Sequence, residues 1–219
     1  MYNGQSTPAR YFSPNKIKVM NADMQQETMD NQQLIWDLQL SLDLILEENL
    51  ALAKKIDLES LIPFVDYIQQ AERIFIISAG RSGFAMRAAA MRLMHLGMNV
   101  YFVGETTTPA IRPGDLLIAA SGSGTTSTIV RAAEKSRGAG ATVVALTTNI
   151  QSPLAALADY SVRIPAAEKQ DHGGSNSKQY AGSLFEQFLL LLMDAVFQSL
   201  WKLDGTPAEE LWKRHANLE

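Results

Sequence analysis

The sequence predicts an α/β fold of three layers, α/β/α, in which a five-stranded parallel sheet of order 2-1-3-4-5 is covered by helices on both faces. Three observations carry the prediction. Short apolar runs at 73–78, 99–103, 115–120, 141–147 and 160–164 alternate with helix-like segments, the pattern of right-handed strand–helix–strand units. The runs show little polar alternation, as expected of strands that meet water on neither face. The first and third runs break abruptly into small residues, SAGRSG at 78–83 and SGSGTTST at 121–128. In a sheet of this order those two ends meet at the switch point, where ligands bind.

Residues 1–21 mix Pro, Gly, Ser and Asn without an apolar period and read as a mobile tail ahead of a single domain spanning 22–219. Met20 and Met24 stand as alternative natural starts. Within 29–56, Leu34, Leu38, Leu42, Ile45 and Leu52 keep helical spacing and predict a long amphipathic helix. A second helix is expected over 58–70, with Asp57 as its candidate cap and Pro63 tolerated only near its first turn. Between the strands, helices are expected at 82–96, 126–137 and 152–158. Residues 166–181 are polar, glycine-bearing and long for a connection, which makes His172 a candidate, although its plain reading is an exposed loop histidine. Residues 182–203 are apolar nearly all round, so their helix should be buried in the domain or in a subunit interface. Thr206 and Pro207 mark the start of a last helix.

Composition excludes several classes of function. A chain of 219 residues suits one core, and its net charge of -4 leaves no basic surplus to neutralise a nucleic-acid backbone. The absence of cysteine removes disulfide and thiolate chemistry. The histidines at 95, 172 and 215 lack metal-ligand spacing, so no site metal is expected. The longest unbroken apolar run, 188–193, stops at Asp194, far short of the roughly 20 residues of a membrane helix. The N-terminus has no basic region followed by an apolar core, so no signal peptide is expected. These readings predict a soluble, cytoplasmic protein with neither a nucleic-acid nor a membrane partner.

The two small-residue loops point to the ligand. Gly122 and Gly124 let backbone approach it closely, while Ser121, Ser123, Thr125, Thr126, Ser127 and Thr128 offer hydroxyl donors without positive charge. The helix that follows adds free N–H groups and the positive end of its dipole. A phosphorylated small molecule is implied, although Ser/Gly loops also simply turn corners and cap helices. The first loop also resembles a dinucleotide G-x-G-x-x-G with Ser78 in the first glycine's place, and Glu105 could then serve as the ribose acid. The second loop weighs against that rival, because a dinucleotide has no evident need for it while a compact sugar phosphate uses both. Glu186 has two readings. Ser183-x-x-Glu186 ahead of an apolar run is a capping box, the stronger reading of these residues alone, and a first-turn carboxylate is also a candidate base. His215 is either a surface residue or a donor that reaches another subunit.

With AGRSG (79–83), AMRLMHLG (90–97), VGETTTPAI (103–111), SGSG (121–124), GSLFEQ (182–187) and HANLE (215–219) in order, the chain resembles the sugar isomerase (SIS) domain family, and within it the 6-phospho-3-hexuloisomerases. The resemblance covers everything but the N-terminal tail. It implies a flavodoxin-like SIS domain that interconverts D-arabino-hex-3-ulose 6-phosphate and D-fructose 6-phosphate in the ribulose monophosphate route of formaldehyde fixation, without metal or organic cofactor. It also implies that Ser121, Ser123 and Thr126 bind the phosphate, that Arg81 and Ser82 line the sugar, and that Glu186 is the enolising base. His215 would complete a neighbour's site in a homo-oligomer, a tetramer with sites near subunit interfaces. One departure matters: many members read SGSGET, and Thr125 here replaces that glutamate, so no role of that carboxylate carries over. An aldose–ketose isomerase of another phosphosugar and a non-catalytic phosphosugar-binding regulator are the alternatives. Such regulators usually carry a DNA-binding segment, which the acidic N-terminal helices do not resemble.

Overall fold

The computed structural model describes residues 14–167 and 177–218, with side chains from residue 29 onward. Five strands, β1 (Ile74–Ile77), β2 (Val100–Phe102), β3 (Leu116–Ala120), β4 (Thr142–Thr147) and β5 (Tyr160–Arg163), pair in parallel in the order β2-β1-β3-β4-β5. This is the order expected from the sequence. Every residue of β1 and β3 is buried, which explains why neither run alternates: each strand sends successive side chains into two different cores. Ile74, Ile76, Leu116, Ile118, Val144 and Leu146 face one core, while Phe75, Ile77, Leu117, Ala119, Val143 and Ala145 face the other.

The first core is closed by α2 (Leu61–Gln70), α3 (Gly80–His95) and α6 (Ser183–Asp204), and the second by α4 (Ser127–Gly138) and α5 (Pro153–Leu157). A short α7 (Ala208–Trp212) ends the chain's regular structure. By length and composition α6 could cross a membrane, but 61% of its most apolar window is buried. Phe188, Leu189, Leu192 and Met193 on α6 belong to the first core, so its apolarity is accounted for by packing.

The chain divides into two compact units, Met1–Leu44 and Ile45–Glu219. Helix α1 (Pro14–Ala53) starts earlier than the apolar period suggests, inside the stretch that composition reads as a tail. A proline in a first turn gives up no hydrogen bond, so Pro14 permits that start. In the first unit Leu34, Leu38 and Leu42 are exposed, and so are Ile35 and Trp36. In the second unit the last turns of α1 bury Leu52 and Asn49.

The N-terminal ends of β1 and β3 are tied by a buried ion pair. Asp115 accepts from Arg73 Nε at 2.8 Å and Nη2 at 2.5 Å, and from the Arg112 backbone N–H at 2.8 Å. Burial pushes the Asp115 carboxyl up, but the Arg73 hydrogen bonds and charge, with Arg112, hold it below its usual range. This fastening leaves the opposite, carboxyl ends of the same two strands for the site.

Candidate active site

The loop after β1 turns at once into α3, and the loop after β3 into α4, so two helix N-termini converge on one cleft. That cleft, about 160 Å³, is lined by Gly80 and Ser82 from the first loop and by Ser121, Gly122, Ser123 and Thr126 from the second. Its small, hydroxyl-bearing lining between two helix N-termini suits a phosphate-bearing group. Ser82 and Ser121 are buried. Thr126 occupies the N-cap position of α4, yet its side chain makes no capping bond. Its hydroxyl instead lies 3.0 Å from Ser121 Oγ, so these two hydroxyls are held together at the cleft rather than spent on the helix. Ser123 Oγ lies 2.9 Å from Thr125 Oγ1, on the exposed rim.

Glycine is required at one point of this loop. At Gly124, with φ +63°, a Cβ would stand 2.0 Å from Ser152 Oγ, the side chain that caps α5. At Gly122, a Cβ would stand 3.4 Å from the ring of Phe185 on α6. That is ordinary contact distance, so Phe185 in the first turn of α6 lies against this loop and the next residue, Glu186, comes alongside it.

Glu186 is 8% exposed and pairs with Arg81, Nε to Oε2 at 3.2 Å. Arg81 Nη1 also donates to Ser183 Oγ at 3.3 Å. Arg81 and Glu186 line a second cleft of about 310 Å³ with Phe84, Gln187 and Leu190. Because Arg81 and Ser82 are consecutive, the two clefts are neighbours along one edge of the site. The capping box does not form. Gly182, in the left-handed region at φ 79°, takes the N-cap position, which places Ser183 one residue inside the helix and Glu186 one residue past the position such a box requires.

The structure thus brings together Arg81, Ser82, Ser121, Ser123, Thr126 and Glu186. It does not bring His215 to them within one chain. His215 stacks on His95 at 3.9 Å, next to Trp212 at 4.5 Å. His95 closes the far end of α3, about 22 Å from Gly80 at 1.5 Å per residue. Burial, then the neighbouring His215 and Arg92, push the His95 imidazole below its ordinary value. His172 lies outside the described residues. Glu105, the candidate ribose acid, is ion-paired with Arg87 on α3, and Ser78 donates to Ala120 O at 2.8 Å, a tie between strand ends that a glycine could not make. Both observations weaken the dinucleotide reading. Among the described residues no group of three or more His, Asp or Glu side chains is placed to hold a metal ion. Phe84, Gln187 and Leu190 were not singled out as site residues from the sequence; Gln187 sits in the GSLFEQ stretch, and only its place beside Glu186 in the folded chain marks it.

Comparison with known proteins gives the family. The SIS domain family matches residues 67–191. The chain is 55% identical over 183 residues to the 3-hexulose-6-phosphate isomerase of Mycobacterium gastri, covering 84% of this chain and 92% of that one. It is 43% identical over 155 residues to the 3-hexulose-6-phosphate isomerase of Bacillus subtilis, covering 70% and 84%. A crystal structure of a hypothetical protein from Methanococcus jannaschii, for which a molecular function of 3-hexulose-6-phosphate isomerase has been inferred, superposes with a TM-score of 0.71 at 34% identity, covering 82% of this chain and 99% of that one. The chain belongs to the SIS domain family, within the group of the 3-hexulose-6-phosphate isomerases.

Proposed function

We propose that this chain interconverts D-arabino-hex-3-ulose 6-phosphate and D-fructose 6-phosphate through a cis-enediolate, with Glu186 as the base. The observation that carries the reading is the buried Glu186 carboxylate, paired with Arg81 beside a hydroxyl-lined loop at the switch point. Moving the carbonyl from C3 to C2 requires removal of the C2 proton and return of a proton at C3, and one carboxylate can serve both carbons on one face of a planar enediolate. The Arg81 guanidinium stands where negative charge grows on the enediolate oxygens. Ser121, Ser123 and Thr126 hold the phosphate away from the reacting carbons and so fix the sugar's orientation, with Ser82 lining it. His215 acts from a neighbouring subunit as proton donor, since its own chain holds it at the far end of α3. Phe84 at 75% exposure and Leu190 line the second cleft with exposed apolar surface, which supports a homo-oligomer, a tetramer, with sites near its subunit interfaces. The setting is cytoplasmic, in the ribulose monophosphate route.

Supplying D-arabino-hex-3-ulose 6-phosphate and following D-fructose 6-phosphate tests the reading: product should form without added cofactor. Tight binding with no turnover would contradict it. Replacing Ser123 and Thr126 with alanine should weaken substrate and inorganic phosphate in parallel, by about 1.5–3 kcal/mol for each charge-assisted bond lost. Unchanged affinity for both ligands would remove the phosphate from this loop.

A further inference from the structure

Glu186 sits in the first turn of a helix whose approach is unusual. Ala181, a non-glycine residue at φ 27°, and Gly182 at φ 79° precede it in succession, a backbone that persists only where its surroundings fix it. On one side Arg81 does so, through Ser183 and Glu186. On the other side stands a chain of hydrogen bonds from the last turns of α1. The Glu48 carboxylate accepts from Ser177 Oγ at 2.6 Å, from the Lys178 backbone N–H at 2.7 Å and from Gln179 Nε2 at 3.0 Å. Gln179 Oε1 accepts from Gln187 Nε2 at 2.8 Å, and Gln187 Oε1 accepts from Asn49 Nδ2 at 2.8 Å. The circuit therefore leaves α1 at Glu48, passes through the loop ahead of α6, reaches the residue next to Glu186, and returns to α1 at Asn49.

Two features show that this circuit is held in place. Burial raises the Glu48 carboxyl, but the three donors and the Lys178 charge outweigh it and hold it below its ordinary value, so it remains an acceptor. Asn49 is 7% exposed, and its Oδ1 has no hydrogen-bond partner among the described residues. An apolar residue would avoid that unsatisfied acceptor. What asparagine supplies is its Nδ2, shared between Ile45 O and Gln187.

We propose that Glu48 and Gln179 are positioning residues for the isomerisation: through Gln187 they fix the rotation of the first turn of α6, and thereby the direction in which Glu186 presents its carboxylate to the substrate carbons. The inference rests on Glu186 being the base. None of the four residues belongs to the phosphate loop, so proton transfer and substrate binding should separate when the circuit is cut.

The test is steady-state kinetics of Glu48→Ala, Glu48→Gln and Gln179→Leu in the full-length protein, with Glu186→Gln alongside. Glu48→Ala and Gln179→Leu should each lose roughly 10-fold in kcat, because small displacements of a catalytic group are costly, while KM and competitive inhibition by inorganic phosphate stay within about twofold. The double variant should lose no more than either single one, because both cut the same circuit. Glu48→Gln keeps an oxygen for Ser177 and Gln179 and gives up only the Lys178 N–H, so it should lie between Glu48→Ala and wild type. If Glu186→Gln is inactive while Glu48→Ala and Gln179→Leu keep wild-type kcat, the positioning role is overturned and the base stands. If kcat, KM, phosphate inhibition and melting temperature all worsen together, the circuit is merely structural. If Glu186→Gln turns over normally, the base reading and this inference both fall.

Discussion

Glu186→Gln should lose at least about 10²-fold in turnover while keeping a near-normal melting temperature and its affinity for inorganic phosphate. Glutamine preserves the shape of the side chain and can still accept from Arg81, but its amide cannot take a proton from carbon. The capping alternative no longer competes, because Gly182 starts the helix and Ser183 is engaged by Arg81. A turnover loss with unchanged stability is therefore the signature of the base, and a loss of stability with little loss of turnover would return Glu186 to a structural role. Mixing Glu186→Gln with His215→Ala subunits extends the test. Activity above either parent would assign the two residues to one site built from different chains, as expected from the distance that separates them within one chain.

Gly124→Ala should lower stability by an amount toward the upper end of about 2–5 kcal/mol and abolish phosphate binding with it. The backbone there is left-handed at φ +63°, which costs an L residue about 1–2 kcal/mol, and the added methyl meets Ser152 Oγ at 2.0 Å, an overpacking of about 1–3 kcal/mol. Leu154 N donates to Gly124 O at 3.0 Å and Gly124 N to Ser121 O at 3.1 Å, so any shift that relieves the clash pulls on both α5 and the phosphate loop. Thermal unfolding and phosphate titration read the two effects. Adding Ser152→Gly should restore part of both, since it removes the clash but not the backbone cost. No recovery in the double variant would mean that the loop fails for another reason.

The sheet was legible because its signals are local. The runs at 74–77 and 116–120 are apolar throughout and 142–147 is apolar between its two terminal threonines, and the first two end in residues too small to be anything but a turn or a ligand loop. The same locality explains what the residues misreported. Ser183-x-x-Glu186 satisfies a capping pattern, but whether the cap forms depends on where the helix begins, and that is decided by Ala181 and Gly182 and by Arg81, about a hundred positions away. The circuit ties Glu48 to Gln179 and Asn49 to Gln187 across 131 and 138 positions, and nothing in the spacing of such residues announces it. The start of α1 at Pro14 was hidden for a different reason: the segment has helix-tolerant residues but no apolar period to reveal them.

As the base, Glu186 would move a proton between adjacent carbons of a ketose phosphate. Exchange of the C3 proton of D-fructose 6-phosphate with solvent deuterium, followed by proton NMR, reads that step without requiring a complete turnover. The wild-type protein should wash the C3 proton out at a rate comparable to isomerisation, and Glu186→Gln should fall at least about 10²-fold below it. Exchange by Glu186→Gln at the wild-type rate would mean that another group moves the proton.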